Sequence, residues 1–395
     1  MPSSSQHYHA IVIGSGQAGT PLCQALAAAG MRTALIERDH VGGTCVNEGC
    51  TPTKTMIASG RVAYLARRGA DYGVGTGPIR IDMRKIRRRK RHIVNLFRGG
   101  NEKRIKQTKN LDLIFAQAAF TGPKSIELRG RRGVGRTFTA DRIFINAGCR
   151  PAIPALPGLD KIPYLDSTSI MELAEVPKHL LVLGGGYIGL EFGQLFRRLG
   201  SRVTIVQRGP QLFSGEDSEV AEAVHQILKG EGIEVLLGTT TQSVSRSRRE
   251  IAMKVRVGNK ARTITGTHLL VATGRVPNSD ALNLVAADIA TDDRGFIRVN
   301  DKLETSAEGV FALGDIKGGP QFTHISYDDF RVIRTNVIER GNTSITGRLV
   351  PYTVFIDPQL GRIGLSETQA KSQSRTVRIG PLGGAADAGT DIGPK

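Results

Sequence analysis

The chain alternates short apolar runs with glycine-rich turns and amphipathic stretches. Residues 10–13 and 180–183, and the runs "VTIVQR", "IFINAG", "LLVATG" and "GVFALG", are apolar and bounded by glycine or polar residues. Such runs predict buried strands. After Gly19, Leu22 and Leu26 stand among alanines at helical spacing. Met83, Ile86, Ile93, Val94 and Phe97 form a second helical stripe, with Asp82 placed to cap it. Strand, tight turn, helix and strand in repeated order predict an α/β fold with parallel sheets.

Two of these units carry more than a fold signal. "YHAIVIGSGQAGTPLCQALAAAG" places Gly14, Gly16 and Gly19 in G-x-G-x-x-G spacing between a strand and a helix. The next strand ends at Glu37, about twenty residues on, where a carboxylate can accept from ribose hydroxyls. A pyrophosphate would rest on the helix N-terminus, held by amide N–H groups and the helix dipole. The pattern recurs in "HLLVLGGGYIGLEFGQLFRRLGSRVTIVQR" with Gly184, Gly186 and Gly189. There Gln207 replaces the acid and Arg208 follows, which suits a 2′-phosphate and favours NADPH over NADH. Two such units in one chain suggest two dinucleotides with electrons passing between them. Further strands end near Gly148, Gly274 and Gly314, and Asp315 could grip a polyol hydroxyl.

Composition narrows the field. A length of 395 residues allows two to three domains, and 39% hydrophobic with 23% charged residues is ordinary for a globular protein. Absent Trp and 5% aromatics argue against carbohydrate or single-strand nucleic-acid platforms. The net charge of +18 favours anionic ligands. The densest run, "RKIRRRKR" at 84–91, reads as the solvated face of the Met83 helix, because no nucleic-acid motif accompanies it. No secretory signal or membrane span is legible. Four cysteines are too few for a disulfide framework, so a reducing cytoplasm is expected.

"GGTCVNEGCTPTK" holds Cys45 and Cys50. A zinc site needs four ligands, and Cys23 and Cys149 are isolated. A structural crosslink over so short a loop would stabilise modestly. A redox couple is the favoured reading. Thr51 is expected as N-cap and Pro52 as the first helical residue. Cys50 then precedes a helix N-terminus, where dipole and amides favour a thiolate. Lys54 lies on the same helix. Cys45 is expected in a flexible loop, open to solvent-borne substrate.

At these motifs the sequence resembles the flavoprotein disulfide reductases, which include glutathione reductase, dihydrolipoamide dehydrogenase and mercuric-reductase-like proteins. The resemblance rests on "GSGQAG", "GGTCVNEGC", "GGGYIGLE", "VATGRVPN", "GVFALGD" and "FIDPQLGRIGLSE". It implies an FAD domain split in sequence (1–157 and 277–346), an NAD(P)H domain (158–276), and an incomplete α+β interface domain for a homodimer (347–395). It implies Cys45 as the interchange thiol and Cys50 as the thiol facing the flavin. It pairs Lys54 with Glu191 and makes Tyr187 the gate over the nicotinamide pocket. Gly43 and Thr44 are expected at FAD phosphate, Asp315 at its ribityl chain and Thr323 at its pyrimidine end. The implied activity moves electrons from NADPH (or NADH) through FAD to the cysteine pair and on to a disulfide, metal-ion or other small-molecule acceptor. No specific nucleic acid, membrane or resident metal is implied. A diaphorase discharging from the flavin, or an FAD-binding chain without turnover, are the alternatives.

Three features depart from the family pattern. Glu48 lies between the cysteines, where its charge would oppose a thiolate. His324 stands where the family often has proline. After "LSETQAKS", the last fifteen residues have only Leu382 and Ile392 as large apolar groups and cannot complete a domain, and the family's "HPT"-like His–Glu pair is absent. The C-terminal cysteine pair and N-terminal metal-binding domain common in mercuric reductases are not in the sequence either. The expectation is a truncated interface domain.

Overall fold

The computed structural model describes residues 6–130, 135–248 and 250–376. The expected tail at 377–395 lies outside them. The chain forms two compact units, one of Met1–Thr53, Arg91–Ala152 and Arg275–Val350, the other of Lys54–Lys90, Ile153–Gly274 and Pro351–Lys395.

The first unit is built on a seven-stranded sheet. Leu111–Phe115, Thr33–Glu37, Gln6–Ile13 and Arg136–Ile145 are parallel neighbours in that order. Val310–Ala312 pairs with the C-terminal half of Arg136–Ile145, in parallel. Its N-terminal half turns antiparallel to Ser125–Arg129, which pairs with Gln117–Gly122. Alternation along Gln6–Ile13 sends Ile11 and Ile13 to one core and Ala10 and Val12 to another, as a period of two requires. Leu22 and Leu26 of the helix Gly19–Ala28 fill the second core and are fully buried. Each such leucine contributes about 1.5–3 kcal/mol of burial.

The second unit repeats the scheme with a parallel sheet of Glu234–Leu236, Arg202–Val206, His179–Leu183 and His268–Val271. The helix Tyr187–Leu199 packs Leu190, Phe192, Leu195 and Phe196 into the core formed with Leu180 and Val182. A three-stranded antiparallel sheet, Thr239–Ser247, Glu250–Val257 and Lys260–Gly266, supplies Met253 and Val255 to the core that Leu181 and Val271 share. The "VPYTVFIDPQLGRIGLSETQAKS" segment forms a strand pair, Tyr352–Val354 with Leu360–Arg362, and a helix, Glu367–Ser372.

The basic helix spans Met83–Gln107, and Asp82 accepts from the Lys85 amide at 2.9 Å. Its stripe differs from expectation. Met83 and Val94 are buried, but Phe97 is 57% exposed. Lys90 is buried in its place, four residues from both Ile86 and Val94, and pairs with Glu172. An apolar count misses a lysine that is met on the buried face by an acid from another element. Arg84, Lys85, Arg88, Arg89 and Arg91 are exposed. Among the described residues no helix is long and apolar enough to cross a membrane.

Candidate functional site

Both glycine turns form for the same steric reason. Gly14 has φ +99°, and a Cβ there would lie 2.4 Å from the Asn146 carbonyl oxygen. Gly184, at φ +114°, would strike Ala272 the same way, at 2.3 Å. The helices that follow, Gly19–Ala28 and Tyr187–Leu199, have no side-chain cap and no acid in the first turn. Their orphan amides and positive dipole ends suit an anionic phosphate. Glu37 accepts from the Ser15 amide at 3.0 Å, the Ser15 hydroxyl at 2.5 Å and the Asp39 amide at 2.9 Å. A carboxylate has about four lone-pair sites, so capacity remains for ribose. Gln207 accepts from the Gly185 amide at 3.0 Å, and Arg208 beside it is exposed.

The cysteine loop corrects two expectations. Cys45 lies inside a short helix, Gly43–Asn47, not in a loose loop. Gly42 and Gly43 turn left-handed, at φ 108° and 61°, and start that helix against the first glycine turn. The Gly42 amide donates to the Ser15 hydroxyl at 3.0 Å. The next helix, Cys50–Arg67, begins at Cys50 itself, and the Thr53 amide bonds the Gly49 carbonyl at 3.0 Å. Pro52 is therefore its third residue, still among the positions whose missing N–H costs nothing. Cys45 is half-buried and Cys50 exposed, the reverse of the expected order. A Cβ at Gly49 would meet the Thr44 carbonyl at 3.0 Å and the Cys45 Cα at 3.4 Å. Glycine here lets the two helices turn without crowding Thr44 and Cys45.

Hydrogen bonding to Cys50 and burial push the Cys45 thiol well above the ordinary range. The Cys50 sulfur lies 3.2 Å from the Thr323 hydroxyl, on the first residue of the helix Thr323–Ile333. Sequence reading placed Thr323 at the flavin and missed this contact, which joins residues 273 apart. His324 is exposed and stacked on Phe322, with ring centroids 5.6 Å apart. Glu48 is exposed.

Asn146 links the other pieces of the first unit. Its amide donates to the Gly14 carbonyl at 3.2 Å, and its Oδ1 would lie 2.8 Å from a Cβ at Gly314. Asp315 is pushed upward by burial, with Arg275 at 3.7 Å opposing. Beneath it, buried Asp329 accepts from the Gly314 amide at 2.8 Å and pairs with Lys317 at 3.3 Å and Arg348 at 2.6 Å. Nothing in residue spacing announced this cluster. Gly148, at φ 66°, follows the strand Arg136–Ile145 and accepts from the Asn278 amide at 3.0 Å.

In the second unit Lys54 meets Glu191 at 2.8 and 3.0 Å. Glu191 is buried and also accepts from the Phe355 amide at 2.9 Å, and Lys54 lies 4.4 Å from the Phe355 ring centroid. Tyr187, one turn before Glu191, is 41% exposed. It packs on Phe213 and Tyr352 at centroid distances of 5.3 and 5.7 Å. Gly186 faces open space. Gly189 would strike the Gly184 carbonyl, at 2.1 Å, if it carried a Cβ. Gly274, at φ 118°, ends the unit's middle segment, Ile153–Gly274. Arg208 makes no described contact with these groups.

The donor set fits two dinucleotides and a dithiol. Comparison with known proteins agrees. Residues 8–329 match the family model described as pyridine nucleotide-disulphide oxidoreductase. The chain is 34% identical over 375 residues to a mercuric reductase of Staphylococcus aureus, covering 95% of this chain and 68% of the relative. It is 36% identical over 383 residues to the probable pyridine nucleotide-disulfide oxidoreductase RclA of Escherichia coli, covering 96% and 82%. A solved Cu(II) complex of the HOCl-induced flavoprotein disulfide reductase RclA from Escherichia coli superimposes with TM-score 0.84 at 34% identity, covering 93% of this chain and 79% of that one. The chain belongs to the pyridine nucleotide-disulphide oxidoreductases, enzymes that depend on FAD and a pyridine nucleotide.

Proposed function

We propose that the chain passes electrons from NADPH, through FAD, into the Cys45–Cys50 pair and on to a small disulfide or a soft metal ion. The carrying observation is the Cys50 sulfur at a helix start, 3.2 Å from the Thr323 hydroxyl and hydrogen-bonded to Cys45. In this reading Gly14, Gly16, Gly19, Glu37, Gly43, Thr44, Gly148, Gly314, Asp315 and Thr323 hold FAD. Gly184, Gly186, Tyr187, Gly189, Arg208 and Gly274 hold the pyridine nucleotide, and the division into split FAD, NAD(P)H and interface segments follows. Bound FAD supplies the exchange between hydride and thiol chemistry.

The residues of the chain set where charge and proton reside. The raised Cys45 thiol keeps the shared proton, and Cys50 takes the negative charge beside the helix dipole and the Thr323 hydroxyl. Lys54 is held as a fixed cation by buried Glu191. Cys45 exchanges with the acceptor. Exposed Arg208 favours a 2′-phosphate, as does the neutral Gln207. A soft metal ion is supported as acceptor by relatives named mercuric reductase and by one solved with Cu(II). A homodimer in the cytoplasm is the expected setting.

Anaerobic reduction with NADPH tests the reading. A long-wavelength absorbance band is expected in the wild type and absent from Cys50→Ser. Flavin bleaching in both proteins without that band would mean electrons leave directly from the flavin, and the cysteine route would be wrong.

A further inference from the structure

We propose that Asn47 and Arg98 are positioning residues that set the distance and angle at which Cys45 meets Cys50. The inference rests on the cysteine pair being a redox couple.

Cys45 sits in a helix of five residues, Gly43–Asn47. A helix that short does not hold itself in water, so something else must fix it. The Asn47 side chain does so. Its amide nitrogen donates to the Gly43 carbonyl at 3.0 Å and the Val41 carbonyl at 3.1 Å, with the His40 carbonyl at 3.4 Å. Two N–H groups thus tie the end of the helix back to the loop that enters it. The Asn47 carbonyl oxygen accepts from Arg98 Nε at 2.8 Å. The amide orientation is fixed by chemistry, because Arg98 can only donate and backbone carbonyls can only accept.

Arg98 belongs to the basic helix Met83–Gln107 and is half-buried, unlike the exposed arginines at 84, 88 and 91. Its bond to a neutral amide is charge-assisted, stronger than a neutral pair. The basic helix therefore lends one guanidinium to the cysteine loop. Only Glu48 and Gly49 separate the short helix from Cys50, and Gly49 packs closely on Thr44 and Cys45, so tilt of the short helix moves Cys45 against Cys50. Disulfide formation requires Cα atoms within about 7 Å and a defined torsion, so a small tilt changes how readily the pair closes. The sequence-stretch "TCVNEGC" shows an asparagine between two cysteines, and nothing in it points to a partner 51 residues away.

Equilibration with glutathione tests this on the full-length chain. The exchange is balanced: two thiols and one oxidised glutathione give the Cys45–Cys50 disulfide and two reduced glutathiones. The glutathione ratio at half-oxidation is read by alkylation and mass analysis of the peptide carrying both cysteines. Asn47→Ala should shift that ratio about tenfold toward the dithiol and Arg98→Ala about threefold, with Arg98→Lys between Arg98→Ala and wild type. The double variant should shift no further than Asn47→Ala, because Arg98 acts through Asn47. Variants that melt earlier yet keep the wild-type ratio would show a merely structural role and overturn the proposal. So would effects that multiply in the double variant. Should Asn47→Ala fail to fold, Arg98→Ala decides alone. A wild-type chain that forms no Cys45–Cys50 disulfide at any ratio would instead overturn the redox-couple reading itself.

Discussion

The two dinucleotide units share a turn and differ in charge. Both place a left-handed glycine against a neighbouring backbone carbonyl, and both leave the next helix uncapped. Both also send the side chain at the end of the second strand back to the glycine loop, accepting an amide at 3.0 Å. In one unit that side chain is Glu37, and in the other Gln207. The inversion extends to the buried ions. The first unit buries an acid, Asp329, between Lys317 and Arg348. The second buries a base, Arg198, between Glu231 at 2.5 Å and Asp357 at 2.6 Å, with the Tyr64 ring centroid 3.8 Å from its guanidinium carbon. Steric demands of the phosphate turn are common to both halves. The electrostatics are free to diverge.

The largest effects should come from breaking the two buried triads. Asp329→Ala leaves Lys317 without its closest acid and the Gly314 amide unbonded. Arg198→Met leaves Glu231 and Asp357 facing each other without their shared cation. Removing one partner of a buried ion group costs about 3–5 kcal/mol. Each variant should lower the denaturation midpoint of its own unit first, as hydrogen exchange resolved by peptide would show. Equal loss in both units from either variant would mean the triads do not act within their units.

Smaller effects should follow from exchanging the charge at the strand ends. Glu37→Gln keeps an acceptor for Ser15 but removes the charge, and FAD retention should fall by about 2 kcal/mol, or roughly thirtyfold, since hydrogen bonds to charged groups are worth about that much. The ratio of flavin to protein absorbance on purification reads it. Gln207→Glu with Arg208→Ala should move the ratio of kcat/KM for NADPH and NADH about tenfold toward NADH, because an acid there accepts from a free hydroxyl and repels a phosphate. An unchanged ratio would remove Gln207 and Arg208 from nucleotide selection.

What sequence could and could not show follows from which contacts are local. The glycine turns were legible because each glycine answers a steric demand met within its own strand–turn–helix unit. The α/β fold was legible for the same reason. Glu191 was reached only through family resemblance, since it meets Lys54 from 137 residues away. Thr323 against Cys50, Arg98 against Asn47 and Arg348 against Asp329 are contacts that only folding creates. Lys90 defeated the periodicity argument outright, because its counter-ion Glu172 is on a different element. The helix start at Cys50 was missed by two residues, and the separate short helix Gly43–Asn47 that holds Cys45 was not foreseen.

The expected effect that separates the units most cleanly is their response to pH. All four cysteines lie in the first unit. Burial pushes the Cys23 and Cys149 thiols from an ordinary 9.0 up to about 12. Between those values the unfolded chain loses protons that the folded unit keeps. Stability from these groups is complete below pH 9.0 and declines as pH rises toward 12. The second unit has two histidines on paired strands, His179 and His268, both lowered from 6.5, chiefly by burial. Here the unfolded chain gains protons that the folded unit refuses, so stability is complete above pH 6.5 and falls as pH drops through it. Alkali should therefore loosen the first unit and acid the second. Hydrogen exchange corrected for intrinsic rates would read this as protection lost from opposite halves of the chain. Cys149→Ser should lessen the alkaline loss alone, leaving the share of Cys23, and His179→Gln with His268→Gln should lessen the acid loss alone. A histidine variant that altered alkaline protection, or a serine variant that altered acid protection, would show that the units do not titrate separately.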